Sequence, residues 1–365
     1  MERLHSIVSC FQIEGTPSEI KPLGSGLIND TYIVRTAETA APDYVLQRIN
    51  HKIFTDPDLL QHNIEVVTDH IRSKYEASGA DDIDRRVLRF IPTPEGKTYT
   101  VSDGEYWRMM VFIPRAVTRE EVTSELSYDA GKAFGRFQAM LTDVPEVLEE
   151  SIPDFHNMEF RLHQLDEAVA ADPAGRVAEV KSLLDAIGCR AESMCRAERM
   201  HREGKLPKRV CHCDTKINNM MFDESSDRVI CIIDLDTVMS SFIFSDFGDF
   251  MRTAACTAAE DEPDTGKIHF NMDIFKAFTR GYIESAGEFL LPVEIENLPY
   301  AAERFAYMQA VRFLADYING DTYYKIAYPE HNLVRTKAQM ALLYDMEAKE
   351  PEMKAYIDEL VAARS

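Results

Sequence analysis

The residues best equipped for chemistry lie between Val210 and Asp249, in the stretch VCHCDTKINNMMFDESSDRVICIIDLDTVMSSFIFSDFGD. An apolar piece, Val210–Cys213, leads into a polar loop holding His212, Asp214, Lys216 and Asn219. After the apolar pieces Met220–Phe222 and Val229–Ile233 come Asp234 and Asp236. The pattern is HxDxKxxN followed by IDxD, read as strand, tight polar loop, strand, turn, strand. Phosphoryl transfer needs such a set. One Asp orients a hydroxyl and accepts its proton, and a Lys stabilises charge on the moving phosphoryl group. An Asn and a further Asp hold the magnesium that bridges the phosphates. Taken singly, Asp and Asn are ordinary turn residues. Six polar residues at this spacing beside strands favour the chemical reading.

Asp246-Phe247-Gly248 copies the metal-binding Asp-Phe-Gly of protein kinases, but it lies 32 residues after Asp214. Asp234 lies 20 residues after Asp214 and directly ends a strand. The short hairpin between base and metal ligand favours Asp234. Asp246 is expected to cap a helix and brace the catalytic loop.

The elements that must position these groups fill a chain of 365 residues, enough for two or three domain-sized units and a large core. Net charge is −22, with no basic run, which argues against nucleic-acid binding. An acidic chain still binds ATP where magnesium and a few placed cations offset the phosphates. No apolar run approaches the ~20 residues of a membrane span, and MERLHSIVSCF lacks the apolar core of a signal peptide. Seven cysteines without paired spacing argue against a disulfide framework. A cytoplasmic location is therefore expected. In Cys211-His212-Cys213 the two cysteines share one strand face and the histidine takes the other. No second ligand pair completes a zinc site, so the cysteines read as small core residues.

Residues 19–34 read as strand, glycine turn, strand. Gly24 and Gly26 either let backbone N–H groups approach a phosphate or simply turn a hairpin. The strand at Tyr44–Ile49 puts Gln47 and Arg48 on opposite faces, so Arg48 either points inward to phosphates or lies exposed. Asp56-Pro57 starts a helix with Leu60, Ile64, Val67 and Ile71 as its stripe. Glu65 beside that stripe either pairs with Arg48 or is solvated. Arg86–Ile91, Lys97–Val101 and Glu105–Phe112 read as further strands. Residues 1–113 thus form a mostly antiparallel nucleotide-binding lobe with one helix. Ile113-Pro114-Arg115 is the connector, whose backbone could read adenine.

Residues 114–365 are mostly helical. Ala130, Ala133, Phe134, Phe137, Met140 and Leu141 mark one helical face, with more helices at Glu159–Val169, Arg176–Arg202, Asp273–Ala286 and Pro299–Tyr317. In the last of these Phe305, Met308, Val311 and Leu314 face the core. Spacing alone makes Arg312 an i,i+4 partner of Asp316. Tyr323 and Tyr324 follow in a polar loop, able to stack on a sugar or simply exposed.

The HxDxxxxN and IDxD blocks resemble the aminoglycoside phosphotransferase and choline kinase superfamily. GSGLINDTY, YVLQRIN, HCDTKINNMMFD, VICIIDLDTVM, SDFGD and AVRFLADYINGDTYYK are similar, in order, to blocks of its N-acetylhexosamine 1-kinases. The resemblance covers nearly the whole chain. It implies an α+β, two-lobed protein-kinase-like fold, with a small antiparallel β-rich N-lobe and a large, mostly helical C-lobe. The implied reaction uses ATP and Mg2+ to phosphorylate the anomeric hydroxyl of an N-acetylhexosamine. Carried over by motif, Asp214 is the base, with Lys216 beside it. Asn219 and Asp234 are magnesium ligands, and Asp236 lies close by. Gly24, Gly26, Arg48, Glu65, Ile113 and Arg115 fall at the nucleotide; Asn29, Asp30, Arg312 and Tyr323 fall at the sugar. Leu27 departs from the pattern, since a histidine is expected after the second glycine. The partner implied is a small sugar, with neither nucleic acid nor membrane.

Two other functions fit the same residues. One is a kinase for choline, an aminoglycoside or another sugar. The other is a catalytically silent nucleotide-binding protein, against which the intact Asp214, Asn219 and Asp234 argue.

Overall fold

The computed structural model describes residues 2–24 and 29–364. Gly26 and Leu27, expected at the nucleotide and near the sugar, lie outside the described residues. The chain divides into two compact units. One comprises Met1–Thr118, Asp143–Pro153 and Met220–Met239; the other comprises Arg119–Thr142, Asp154–Asn219 and Ser240–Ser365. The first is antiparallel and β-rich, the second mostly helical, as the α+β reading expects. No helix of the described residues is long and apolar enough to cross a membrane.

The first unit opens with α1 (Glu2–Val8), β1 (Pro17–Pro22), β2 (Asp30–Thr36) and β3 (Tyr44–Ile49). After α2 (Pro57–Ala77) come β4 (Tyr99–Ser102), β5 (Glu105–Val111) and β6 (Ala116–Val117). The main sheet runs β1-β2-β3-β5-β4, antiparallel throughout. Side chains alternate across a strand. Tyr44 and Leu46 of β3 therefore share one face, and it packs with Trp107, Met109, Ile7 and Val8 in the core. Gln47 and its cross-strand partner Arg108 take the other face.

The start of α2 is set by Asp56, whose carboxylate accepts the Leu59 N–H at 3.0 Å, with Pro57 in the first turn. Leu60, Ile64, Val67 and Ile71 are buried. A second sheet joins β6 to the hairpin of β8 (Met220–Asp223) and β9 (Val229–Ile232). Asp234 then adopts φ 60 ahead of a 3-10 turn, Leu235–Thr237.

The expected strand over Arg86–Ile91 is not formed. β4 already pairs with Glu105–Arg108 of β5, which leaves only the last residues of β5 open on that edge. There the segment makes a single bridge, Phe90 to Met110.

The second unit contains α3 (Ser124–Met140), α4 (Met158–Ala171), α5 (Lys181–Gly188), α6 (Ala191–Met194) and α7 (Arg196–Arg202). The short β7 (Arg209–Cys211) precedes α8 (Phe244–Ala254), α9 (Met272–Ala286), α10 (Pro292–Glu296), α11 (Leu298–Ile318) and α12 (His331–Ala362). The one helix expected over Arg176–Arg202 is broken into a 3-10 turn, α5, α6 and α7. Tyr300 satisfies the backbone at the last break. Its hydroxyl donates to Met194 O at 2.7 Å and accepts the Ala197 N–H at 3.2 Å.

α11 is buried almost all round, because α4, α8 and α12 all pack on it. The approach of α8 is set by Gly248, where a Cβ would meet Ala301 O at 2.3 Å. Glycine in Asp-Phe-Gly here serves helix packing. The sequence carries no clear stripe for α12, since the buried Asn332, Thr336 and Gln339 interrupt its apolar residues.

Candidate active site

The polar loop after β7 belongs to the second unit, and α8 holds it. Asp246 accepts the backbone N–H of His212 at 3.0 Å, that of Cys213 at 2.8 Å, and Gln138 Nε2 at 2.7 Å. Thr215 donates its hydroxyl to Asp246 O at 2.6 Å and its N–H to Asp249 at 2.9 Å. These bonds hold Cys213 at φ 64, a left-handed conformation that a non-glycine residue keeps only when its surroundings impose it. Asp246 braces the loop as expected but caps no helix. It sits inside the first turn of α8, whose N-cap is Ile243, and its carboxylate is spent on the loop. His212 is fully buried, with Phe134 packed edge-on at 5.8 Å.

Asp214, Lys216 and Asn219 come together. Lys216 Nζ lies 2.6 Å from Asp214 Oδ1, and Asn219 Nδ2 donates to Asp214 Oδ2 at 3.1 Å. Burial pushes the Asp214 carboxyl up, but the Lys216 charge and hydrogen bond, with His212 and Asn219, hold it below its ordinary value. Burial works against the Lys216 ammonium too, and Asp214 and Asp249 raise it above its ordinary value. Asp249 is raised by burial, against the Arg252 guanidinium 3.1 Å away. Arg252 reaches on to Glu260 at 2.7 Å. The group can therefore keep a carboxylate ionised beside a fixed cation.

Arg312 lies further along the same unit. The expected Arg312–Asp316 pair is not made. Asp316 instead accepts the backbone N–H groups of Thr322, Tyr323 and Tyr324 at 2.8–3.0 Å, fixing the loop after α11. The Arg312 guanidinium sits over Phe155 at 5.5 Å and Tyr324 at 5.7 Å. Tyr323 packs on Tyr324 and is 64% exposed. Two further residues of this cluster, His156 and Arg161, carry no motif in the sequence.

In the first unit, Arg48 is held by Asp30 at 2.6 Å and Glu105 at 2.9 Å, bonds that raise it above its ordinary value. It does not pair with Glu65, which accepts the Thr98 hydroxyl. The sheet face explains this: α2 meets the Gln47 and Arg108 side, where Arg108 Nη1 donates to Gln61 at 3.2 Å. Asp236 is buried, with Arg108 at 2.5 Å on Oδ1 and Asn29 Nδ2 at 2.6 Å on Oδ2. Asn29 Oδ1 accepts the Asn50 N–H at 3.0 Å. Asn29, Asp30 and Asp236 thus bond within the unit, while Asp234 is exposed. Ile113 is buried in the connector; the Pro114 and Arg115 carbonyls accept from Arg85 at 3.1 and 2.9 Å. Arg115 and Gly24 are exposed, with φ of 53 and 72.

A family profile described as Phosphotransferase enzyme family matches residues 19–279. Among solved structures, a microcompartment-associated aminopropanol kinase is similar at TM-score 0.59 and 14% identity, covering 97% of this chain and 98% of that one. An amicoumacin kinase in complex with AMP-PNP, Ca2+ and Ami is similar at TM-score 0.61 and 12% identity, covering 95% and 96%. A choline kinase from Cryptosporidium parvum Iowa II is similar at TM-score 0.59 and 14% identity, covering 98% and 99%. At these identities the likeness is one of fold, and the fold is kinase-like.

Proposed function

The chain belongs to the phosphotransferase enzyme family, and on that premise we propose that it transfers the γ-phosphoryl group of ATP to the anomeric hydroxyl of an N-acetylhexosamine. The observation that carries the transfer is the Asp214 carboxylate, set between Lys216 and Asn219 on a loop held by Asp246 and Asp249. Asp214 orients the acceptor hydroxyl and takes its proton as the bond to phosphorus forms. Lys216 keeps Asp214 ionised and offers charge to the phosphoryl oxygens. Little covalent work remains, so the rate gain is positioning and charge stabilisation.

The oxygen donors suit a hard divalent cation such as Mg2+. Asp234 is exposed, and Asn219, whose Nδ2 faces Asp214, keeps its amide oxygen for a ligand. We assign each as a metal ligand. When bound, a divalent ion would offset the charge of the phosphates. Asp236, spent on Arg108 and Asn29, is assigned a positioning role for the turn that carries Asp234. Arg48 meets a phosphate only by exchanging Asp30 or Glu105 for it. All three side chains are partly exposed, and such pairs hold only about 0–1 kcal/mol. Arg85 occupies the Pro114 and Arg115 carbonyls, so Ile113 is the connector residue we keep for adenine.

The sugar assignment is supported by the sequence blocks and by the aromatic setting of Arg312. It is tested by ADP release from Mg-ATP with N-acetylglucosamine, N-acetylgalactosamine, glucose, choline and kanamycin, with the product read by phosphorus NMR. A 1-phosphate formed from the acetamido sugars is expected. Turnover on choline or kanamycin alone would discard the sugar and keep the phosphoryl transfer.

A further inference from the structure

Four arginine charges act on the buried ring of His156: those of Arg312, Arg304, Arg161 and Arg252. Two of them are neutralised. Arg304 lies 2.5 Å from Glu198, and Arg252 pairs with Asp249 and Glu260. The other two have no carboxylate within ion-pair distance among the described residues. Arg161 donates to neutral groups only, to Phe155 O at 2.7 Å and Gln164 Oε1 at 2.8 Å. Arg312 donates to Gln309 Oε1 at 3.3 Å. The charges of Arg161 and Arg312 also act on each other. With burial as the larger cause, Arg312 contributes to holding Arg161 down at about 10, and Tyr324, Tyr323 and Asp154 only partly oppose it.

His156 adds no compensation. Burial and the surrounding cations keep the ring well below its ordinary value and so neutral, and its Nδ1 is shut from solvent without a hydrogen-bond partner among the described residues. In a chain with 62 acidic side chains, two neighbouring arginines without an ion-pair partner among the described residues are a costly arrangement unless a ligand supplies one.

Charge links the cluster to the catalytic loop through Arg252, which pairs with Asp249, the acceptor of the Thr215 N–H. Arg252, which acts on His156, also acts on Lys216, and its partner Glu260 acts on Tyr324. Its walls are Phe155, stacked on His156 at 4.3 Å, and Tyr324. Apolar faces suit a sugar ring, and paired guanidinium groups suit oxygen acceptors, best of all anionic ones.

We propose that Arg161 and Arg312 form a clamp for an oxyanion substituent on the acceptor, a carboxylate or phosphate on a sugar, and that this clamp ranks acceptors as anionic, then neutral, then cationic. The inference rests on the acceptor role proposed for Arg312. It makes Arg161 a specificity determinant and turns the site against amines.

The test is equilibrium binding to the full chain by titration calorimetry, using glucuronate, glucose 6-phosphate, N-acetylglucosamine and glucosamine. At least one of the two anionic probes should bind tenfold or more tightly than glucosamine, and the better of the two identifies the oxyanion. R161Q should lose about tenfold on that probe and little on glucosamine. R161K should preserve the order of ligands. Glucosamine binding within twofold of both anions, no binding of either anion, or an unchanged order in folded R161Q would each overturn the clamp. Should R161Q fail to fold, the wild-type order decides. ADP release separates the two readings. Anion binding without sugar turnover sinks the sugar kinase and keeps the clamp; turnover of N-acetylglucosamine without the charge order does the reverse.

Discussion

Lys216 Nζ lies 2.6 Å from Asp214 Oδ1, on the same loop and two residues along. The pair fixes how activity should respond to acid. Asp214 is held below its ordinary value, chiefly by Lys216 acting against burial, so the base stays ionised as pH falls through the usual carboxylate range. Removing the ammonium leaves only His212 and the Asn219 hydrogen bond to oppose burial. In K216M the acidic limb of the kcat/KM profile should therefore move to higher pH. D214N should lose about 10²–10⁴ of kcat, the usual worth of a positioned base, with ATP binding largely kept. An acidic limb that does not move in K216M would break the link between the two residues.

Asp246 should matter for stability more than for chemistry. Its side chain receives two backbone N–H groups and the Gln138 amide, all buried. D246A strands these donors without water, at about 1–3 kcal/mol each. Loss of about 3 kcal/mol or more is expected, read from the denaturant midpoint at unchanged m-value. D246N keeps one acceptor oxygen and should fall between the two. A D246A protein as stable as wild type would show that the loop holds its own shape.

Legibility followed sequence separation. Asp214, Lys216 and Asn219 stand within six residues, so their grouping could be read directly, and so could the hairpin that ends at Asp234. α2 was legible because its cap, first-turn proline and apolar stripe agree. The helix over Arg176–Arg202 was not, because its breaks are satisfied by Tyr300, a hundred residues on. Arg161 could not be found either. What distinguishes it is that no carboxylate among the described residues pairs with it, and a missing charge leaves no trace in spacing. Arg108 sits in EYWRMMV as an ordinary alternating strand residue. Only the fold brings Asp236 to it.

Two arginines of the first unit should part company on mutation. Arg108 and Asp236 are both about 96–97% buried and 2.5 Å apart, whereas Arg48 is 36% exposed beside Asp30. Removing one partner of a buried pair leaves an uncompensated charge and costs about 3–5 kcal/mol. Removing a partner of an exposed pair costs about 0–1 kcal/mol. R108M should accordingly destabilise the protein severalfold more than R48M in the same thermal or denaturant assay. R108M combined with D236L should recover much of the loss, since no charge is then left buried. Equal effects of the two single substitutions would mean that the Arg108 network is open to water.

Glu303 of α11 predicts a slope of stability with pH. It is 7% exposed, its Oε1 has no hydrogen-bond partner among the described residues, and burial with the like charges of Glu350 and Glu347 raises it to about 7. Arg196 and Lys354 oppose this only in part. The unfolded chain releases that proton near the ordinary 4.5, so from there to about 7 the folded state binds more protons than the unfolded one. Stability contributed by this site must then fall as pH rises across that window and level off above it. E303Q carries no proton to lose. It should remove the slope, match wild type near pH 4.5, and exceed it at pH 8 by on the order of 2–3 kcal/mol. Urea melts of both proteins across that range test this. Parallel curves would mean that Glu303 ionises freely in the fold and that the packing of α12 over α11 admits water there.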